Sequence, residues 1–413
     1  MDGTKGKKPE LLAPAGDMES FRAALTYGAD AVYLGGGSLT MRAGPKNFTP
    51  RELEDACALA HGRGAKVYYT CNALPRNEEI PLLEQTLGEA RDAGVDAFIA
   101  ADIGVLMAAR RVAPEVAVHV STQAGVTNYL TAAELHRLGA SRVVLARELT
   151  LEEIHGIREN TPRSLELEVF VHGSMCVSFS GRCLLSQYLT GRDANRGACA
   201  QPCRWNYRLV EEKRPGEYYP IGEDEGGSYI LNAKDLCAIG FLDKVIGAGA
   251  SSLKIEGRAK SAYYVAAVTG AYRQAVDLWA GDPGGYRCPP WLEEEVRKVS
   301  HRAYTSGFFF GPPDRGQRLE DGGYLRLWDV VAVVEGYDPT AGRLLCRQRN
   351  KFAVGDTLEA LIPGARPREI QVPALFDGAG EPMDSTPHPD MAFQLPCGGP
   401  LPRGAMLRRE RRP

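Results

Sequence analysis

Nowhere does the chain approach the roughly 18 consecutive apolar residues of a membrane-spanning helix, and its opening stretch, MDGTKGKKPELLAPAG, carries lysines without the apolar core of a signal peptide. No membrane partner is therefore expected, and a soluble, cytoplasmic protein is. Charge of either sign is nearly balanced. With a net charge of −3 over 413 residues and a pI near 6.2, no global field draws the molecule toward nucleic acid, so any such contact must come from a local basic patch. The phosphate-binding G-x-G-x-x-G is also missing, and the run Gly35-Gly36-Gly37 lacks its spacing, which weakens an open doubly wound sheet as the fold. No internal repeat or low-complexity tract stands out.

What is present is a 44% hydrophobic composition, enough for one large core plus a satellite domain, since single cores stop growing at about 250–300 residues. Short apolar runs alternate with amphipathic segments from residue 9 to about 281. Eight strands are expected, at 10–16, 31–36, 66–74, 97–102, 116–125, 142–150, 165–173 and 252–258. Helical patterns such as MESFRAALTYGA, TPRELEDACALAHGRG and EIPLLEQTLGEARDAG lie between them, each with apolar residues at helical spacing and a glycine near its end. Eight βα units in this length predict an α/β fold of the TIM-like (β/α)8 barrel type over residues 1–281.

One unit is out of rhythm. After strand seven the next helical pattern, NAKDLCAIGFLDKVIGAGA, starts near Asn232, so residues 174–231 form an insertion on the strand-to-helix face where barrel active sites sit. Residues 282–325 read as linker plus one helix, WLEEEVRKVSHRAY. Residues 326–413, with DVVAVVEGYDPTAGRLLCRQRNKFAVGDTLEALI and later β runs, read as a small antiparallel β-barrel domain.

Four of the ten cysteines fall inside the insertion. Cys176, Cys183, Cys199 and Cys203 are spaced C-x6-C-x15-C-x3-C, matching neither a zinc ribbon nor a bacterial ferredoxin run. In a reducing compartment such a cluster points to metal or catalysis rather than disulfides. Four soft thiolates suit an iron–sulfur cluster or a structural zinc, and the alternatives are buried structural thiols or a Cys176 nucleophile paired with His172. The remaining six, Cys57, Cys71, Cys237, Cys288, Cys346 and Cys397, are dispersed and read as small buried hydrophobes.

Strand alternation places further groups. Leu167, Val169 and Val171 share the face under the helices, while Glu168, Phe170 and His172 point into the barrel; Lys254, Glu256 and Arg258 do the same on strand eight. Strand five contributes His119, Ser121 and Gln123, strand three ends at Asn72, and Arg147 closes strand six. So many polar groups at strand ends predict a polar, anion-binding mouth, against the plainer reading of a Lys254–Glu256–Glu168 lattice that fills the barrel. Arg204, Trp205 and Tyr207, directly after the last cysteine, have the basic and aromatic character that single-stranded RNA needs, although for so short a run a packed turn is the more common explanation.

Together, ELLAPAGDMESFRAALTYGADAVYLGG, HVSTQAGVTN, EVFVHGSMCVSFSGRCLLSQYLTGRDANRGACAQPCRW, NAKDL and SLKIEGR resemble the peptidase U32, collagenase-like family over about residues 9–281. NKFAVGDTLE resembles the small C-terminal β domain of that family. The resemblance implies an iron–sulfur hydroxylation protein, and the cysteine region and length are most similar to members that convert the tRNA wobble uridine to 5-hydroxyuridine with prephenate as co-substrate. Within the family, an rRNA cytidine or ubiquinone-type hydroxylase and a peptidase on collagen-like substrates are the alternatives; the absence of an early cysteine after YLG counts against ubiquinone.

Carried onto this chain, the resemblance makes Cys176, Cys183, Cys199 and Cys203 the ligands of a [4Fe–4S] cluster, with Cys237 as a substitute for the fourth. It makes Arg258 and Arg147 the forks for a small dicarboxylate, with Lys254, Gln123 and Ser121 as further substrate-binding groups. His172, Glu256 and Asn72 are then the catalytic candidates and Arg204 and Trp205 the RNA contacts. The partner implied is tRNA, and a homologous partner chain is allowed because the ubiquinone members work in pairs.

Overall fold

The computed structural model describes residues 8–37, 39–40, 47–175, 183–194, 198–202, 209–210, 218–219, 222–224, 227–229, 234–311 and 325–411. Seven parallel strands, β1 (Glu10–Pro14), β2 (Ala31–Leu34), β3 (Lys66–Cys71), β4 (Ala97–Ala100), β5 (Ala117–Val120), β6 (Arg142–Val144) and β7 (Glu166–Ser174), hydrogen-bond in sequence order. Strand β13 (Ser252–Ile255) pairs with both β7 and β1 and closes the barrel; β8 to β12 belong to the excursion described below. The strands are almost wholly buried because helices cover their outer faces. Those helices are α1 (Met18–Thr26), α2 (Pro50–His61), α3 (Ile80–Asp92), α4 (Ile103–Val112), α5 (Tyr129–Arg137), α6 (Leu151–Glu159), α8 (Leu242–Gly247) and α9 (Ala262–Gly281). Their starts are written locally: Asp17, Thr49 and Thr150 each cap a first turn whose third residue, Ser20, Glu52 or Glu153, bonds back to the cap.

The barrel expected from the sequence is thus present, with strand ends trimmed. The chain leaves β5 at Val120 for a short 3-10 turn, Thr122–Ala124, capped by Ser121, and leaves β6 at Val144. Within the excursion lie α7 (Leu185–Thr190) and two short antiparallel pairs, β8 (Leu209–Val210) with β9 (Tyr218–Tyr219) and β10 (Gly222–Asp224) with β11 (Gly227–Tyr229). The helix expected from about Asn232 begins only at Leu242. Residues Asp235–Cys237 instead form β12, antiparallel to the end of β7. The cause is a mismatch in strand length: β6 pairs only with Glu166–Glu168, so the upper half of β7 would be an open edge, and β12 satisfies it, with the Ala238 N–H donating to Val171 O.

The stretch read as linker plus one helix is part of the same wall. Helix α10 (Pro290–Arg297) ends before the WLEEEVRKVSHRAY pattern does, and β14 (Tyr304–Thr305) runs parallel to β12. Beyond it come β15 (Trp328–Asp338), β16 (Arg343–Gln348), β17 (Thr357–Leu361), β18 (Arg368–Gln371), β19 (Leu375–Asp377), β20 (Pro382–Met383), β21 (Ala392–Pro396) and β22 (Met406–Glu410). They form one antiparallel sheet in the order β18-β17-β22-β15-β16-β21-β19-β20, curled around its own core of Val331, Leu344, Phe352, Leu395 and Leu407.

A buried charge cluster fixes this sheet to the barrel. Arg408 of β22 is fully buried and grips Glu295 of α10 with both terminal nitrogens, at 2.5 and 2.6 Å, while also reaching Glu359 of β17, which Lys298 holds at 2.8 Å. Tyr27 Oη, at the end of α1, lies 3.0 and 3.1 Å from the carbonyl oxygens of Leu361 and Gly404. Truncating one partner leaves an unanswered buried charge, so Glu295→Ala should cost about 3–5 kcal/mol in urea unfolding. Arg137→Ala, which removes an exposed pair with Glu134, should cost at most about 1 kcal/mol in the same measurement.

Candidate active site

The barrel interior is charged in its lower half. Arg142 on β6 is buried and reaches Glu10 at 2.6 Å, Glu166 at 2.5 Å and Glu168 at 2.9 Å; Lys254 on β13 takes the other Glu168 oxygen at 2.7 Å. Burial alone would raise the Glu168 carboxyl, but the Lys254 and Arg142 charges beside it hold it down at about 2. Lys254 also lies 4.6 Å from the Tyr33 ring centre. The plainer reading was therefore partly right, because Lys254 and Glu168 form a lattice. Its third member is Arg142 rather than Glu256.

Glu256 belongs to the mouth. Its Oε2 is 3.2 Å from Tyr33 Oη and 4.0 Å from Arg147 Nη2. Arg147 Cζ stands over the Phe170 ring, 3.8 Å from its centre, and Nη1 donates to Ser174 O at 2.6 Å. Its Nε–H is buried and has no acceptor among the described residues. Arg258, also buried, donates from Nη1 to the Thr40 and Thr70 hydroxyls at 2.8 and 2.7 Å. Gly35 makes room for that arrangement: a Cβ there would fall 2.7, 2.8 and 3.0 Å from Thr70 Oγ1, Thr40 Oγ1 and Arg258 Nη1. The glycine run after β2 is thus a matter of close packing, in keeping with its lack of phosphate-loop spacing.

Ser121 and Gln123 sit at the end of β5, where Ser121 Oγ is 3.4 Å from both the Gln123 amide nitrogen and its Oε1. Asn72 follows β3 directly and is half-buried. Neither β5 group is hydrogen-bonded to Arg147 or Arg258. Tyr33, Thr40 and Thr70 at the mouth went unread in the sequence, although Tyr33 and Thr70 share the inward face with Leu12 and Tyr68 by the same alternation applied to β7. Thr40 carried no comparable signal.

The inward placement of His172 needs correcting. A register shift occurs where Lys254 pairs with Phe170 but Ile255 pairs with His172, so Val171 is an extra residue and His172 shares the outward face of Ile255. Its ring is enclosed by Tyr264 and Tyr272 of α9 and Tyr304 of β14, with centroids 6.0, 5.5 and 5.2 Å away. Gly173 follows at φ +108, where a Cβ would also meet Glu256 O at 2.5 Å. Burial pushes the His172 imidazole down to about 3, so it is neutral.

Of the insertion cysteines, Cys176 and Cys203 lie outside the described residues, as do Arg204 and Trp205. Cys183 is half-buried beside α7 and Cys199 is exposed. The segment holding Cys199 is tied to α7, since the Ala200 N–H donates to Ser186 Oγ at 3.0 Å, and the Gln201 N–H donates to Cys199 Sγ at 3.4 Å. An N–H aimed at sulfur stabilises a thiolate, so this donor set suits a cluster bound through sulfur. Among the described residues no three His, Cys, Asp or Glu side chains are grouped as metal ligands. Cys237 stands in β12 opposite His172, not in a helix, and burial pushes its thiol up to about 11. Of the dispersed cysteines Cys57, Cys71 and Cys346 are buried as expected, whereas Cys237, Cys288 and Cys397 are partly exposed. No helix of the described residues is long and apolar enough to cross a membrane.

Residues 16–318 match the domain described as peptidase family U32, and residues 326–408 match the peptidase family U32 C-terminal domain. A protein named tRNA hydroxylation protein P1 from Bacillus subtilis (strain 168) is 38% identical over 93% of this chain and 90% of its own length. The tRNA hydroxylation protein P of Escherichia coli (strain K12) is 34% identical over 94% of each chain. A protein named collagenase from Porphyromonas gingivalis (strain ATCC BAA-308 / W83) is 35% identical over 73% of each.

The buried imidazoles set an acid limit on stability. Burial holds His119 and His172 well below 6.5, so as the pH falls through about 6.5 the unfolded chain binds protons that the folded one refuses. Stability present above that pH is then lost, by up to about 1.4 kcal/mol per pH unit for each histidine. Urea unfolding at about pH 7.5 and about pH 5.5 should show this drop, and His172→Phe should reduce the slope without abolishing it, because burial lowers His119 and His301 as well. A pH-independent midpoint across that interval would contradict it.

Proposed function

The chain belongs to peptidase family U32, and from that premise we propose that it hydroxylates the wobble uridine of tRNA to 5-hydroxyuridine, with prephenate as co-substrate. What carries the reading is that similarity to proteins named for tRNA hydroxylation spans barrel, cysteine excursion and β domain alike. The mouth chemistry supports it. A dicarboxylate suits a site with one buried guanidinium, Arg258, and one half-buried, Arg147, whose enclosed Nε–H has no acceptor among the described residues. Arg147 and Arg258 bind the two carboxylates, and Thr40 and Thr70 fix the plane of Arg258. Phe170 holds Arg147 from below.

Replacing C5–H by C5–OH with a water-level oxygen releases two protons and two electrons, so the reaction needs a two-electron acceptor as well as a base; Glu256, lodged between Tyr33 and Arg147, is a carboxylate in reach of the mouth to take a proton. Cys176, Cys183, Cys199 and Cys203 would hold a [4Fe–4S] cluster, which would supply redox or Lewis-acid chemistry. A cysteine-peptidase reading loses its base, because three tyrosines enclose His172 on the outer side of the barrel.

Deleting the gene and digesting total tRNA for mass spectrometry should show 5-hydroxyuridine derivatives disappearing. They should return with the wild-type gene but not with Cys199→Ser or Glu256→Gln, and Arg147→Ala should restore them with activity lowered on the order of tenfold or more. An unchanged nucleoside profile in the deletion strain would overturn the proposal.

A further inference from the structure

A cavity of about 710 Å3 lies between the barrel rim and the β domain. It meets three parts of the molecule at once: Glu256 and Ser174 from the mouth, Gln201 from the segment carrying Cys199, and Trp328, Arg326, Arg349 and Arg411 from the β domain. Its volume falls in the roughly 300–1,000 Å3 range of small-ligand sites, room for one or two nucleotides but not for a folded domain. Four cations line it, Lys260, Arg326, Arg349 and Arg411, against three carboxylates, Glu19, Glu256 and Asp329, in a chain whose net charge is −3. The lining thus carries a small local excess of positive charge in a chain whose net charge is negative.

The three arginines are open to solvent. Arg326 is exposed and makes no ion pair among the described residues. Arg411 and Arg349 are exposed, Arg411 paired with Asp329 at 2.9 Å and Arg349 with Asp390 at 2.6 Å and Glu19 at 3.0 Å, and such solvated pairs are worth so little that a phosphate can share the guanidinium. Trp328 is half-buried, with Lys298 Nζ 4.7 Å and Arg408 Cζ 5.3 Å from its ring centre, so its indole is braced by the cluster that joins the domains. The first turn of α9, Ala262–Tyr264, forms another wall. An aromatic face among guanidiniums is what single-stranded nucleic acid recognition uses, whereas a collagen-like peptide, rich in neutral Gly and Pro, has no phosphate for these groups to meet.

We infer that this cleft holds the single-stranded nucleotides flanking the target base, with a base against Trp328 and phosphates on Arg326, Arg411 and Lys260, so that the β domain presents RNA to the barrel mouth. The inference rests on the tRNA reading above and names a part of that site no relative's name specifies. Its test is fluorescence anisotropy of a labelled anticodon stem-loop RNA titrated with the full-length protein. Trp328→Ala and Arg326→Glu should each weaken binding on the order of tenfold, and Arg326→Lys should bind as the wild type does. Arg326→Ala should also flatten the dependence of log affinity on log salt by about 0.7, the share of one phosphate contact on a single strand.

Arg137→Glu, on the exposed face of α5, should leave binding unchanged. Wild-type affinity in both the Trp328 and Arg326 variants, or displacement of the RNA by gelatin peptides, would overturn the cleft while leaving tRNA as a substrate. Failure of the wild-type protein to bind either the stem-loop or whole tRNA would overturn both.

Discussion

Two cations enclosed in a barrel must be answered by carboxylates, and Arg142 and Lys254 are answered at its closing seam. Arg142 on β6 engages Glu10 on β1 and Glu166 and Glu168 on β7, and Lys254 on β13 takes the remaining oxygen of Glu168. Those four strands include the two whose pairing closes the circle. Buried ion pairs roughly break even against desolvation, so the lattice adds little net stability, but it forbids register errors. A one-residue slip of any of these strands would turn a charge against the apolar helices. The mouth stands on this layer: Phe170 lies one alternation above Glu168, and Arg147 rests on Phe170.

Above the lattice the barrel gives up regularity, and the departures make the site. β6 stops at Val144 and leaves β7 half unpaired, which lets the return of the excursion dock as β12. The extra residue at Val171 then rotates His172 out of the lumen into a ring of tyrosines and leaves Ser174 to accept from Arg147. Ser174 and Glu256 of the mouth then line one cavity with Gln201, two residues after Cys199. The Arg408–Glu295 clasp sets the β domain so that Trp328 and Arg326 line the same cavity as Glu256 and Ser174.

Periodicity made the barrel and the charged interior legible, because a strand with Glu168 and Lys254 on one face and Leu167 and Leu253 on the other admits one orientation. The same alternation misplaced His172, since a bulge leaves no mark in composition and is decided by which strand β7 meets at each level. Asp235–Cys237 was read as helix for a related reason: NAKDLCAIG has helical spacing, and the unpaired edge of β7 outweighs that local preference. The clasp between the domains was not legible at all, as Glu295, Glu359 and Arg408 are far apart in the chain and ordinary as single residues.

The account stands on the proposal that the cysteines of the excursion hold iron through sulfur. Purification of the full-length protein without oxygen, followed by iron and acid-labile sulfide analysis with a visible spectrum, tests this directly. It should yield coloured protein with about four irons per chain, with Cys183 and Cys199 resisting alkylation until the iron is removed. Colourless, iron-poor protein whose native thiols alkylate freely would contradict it.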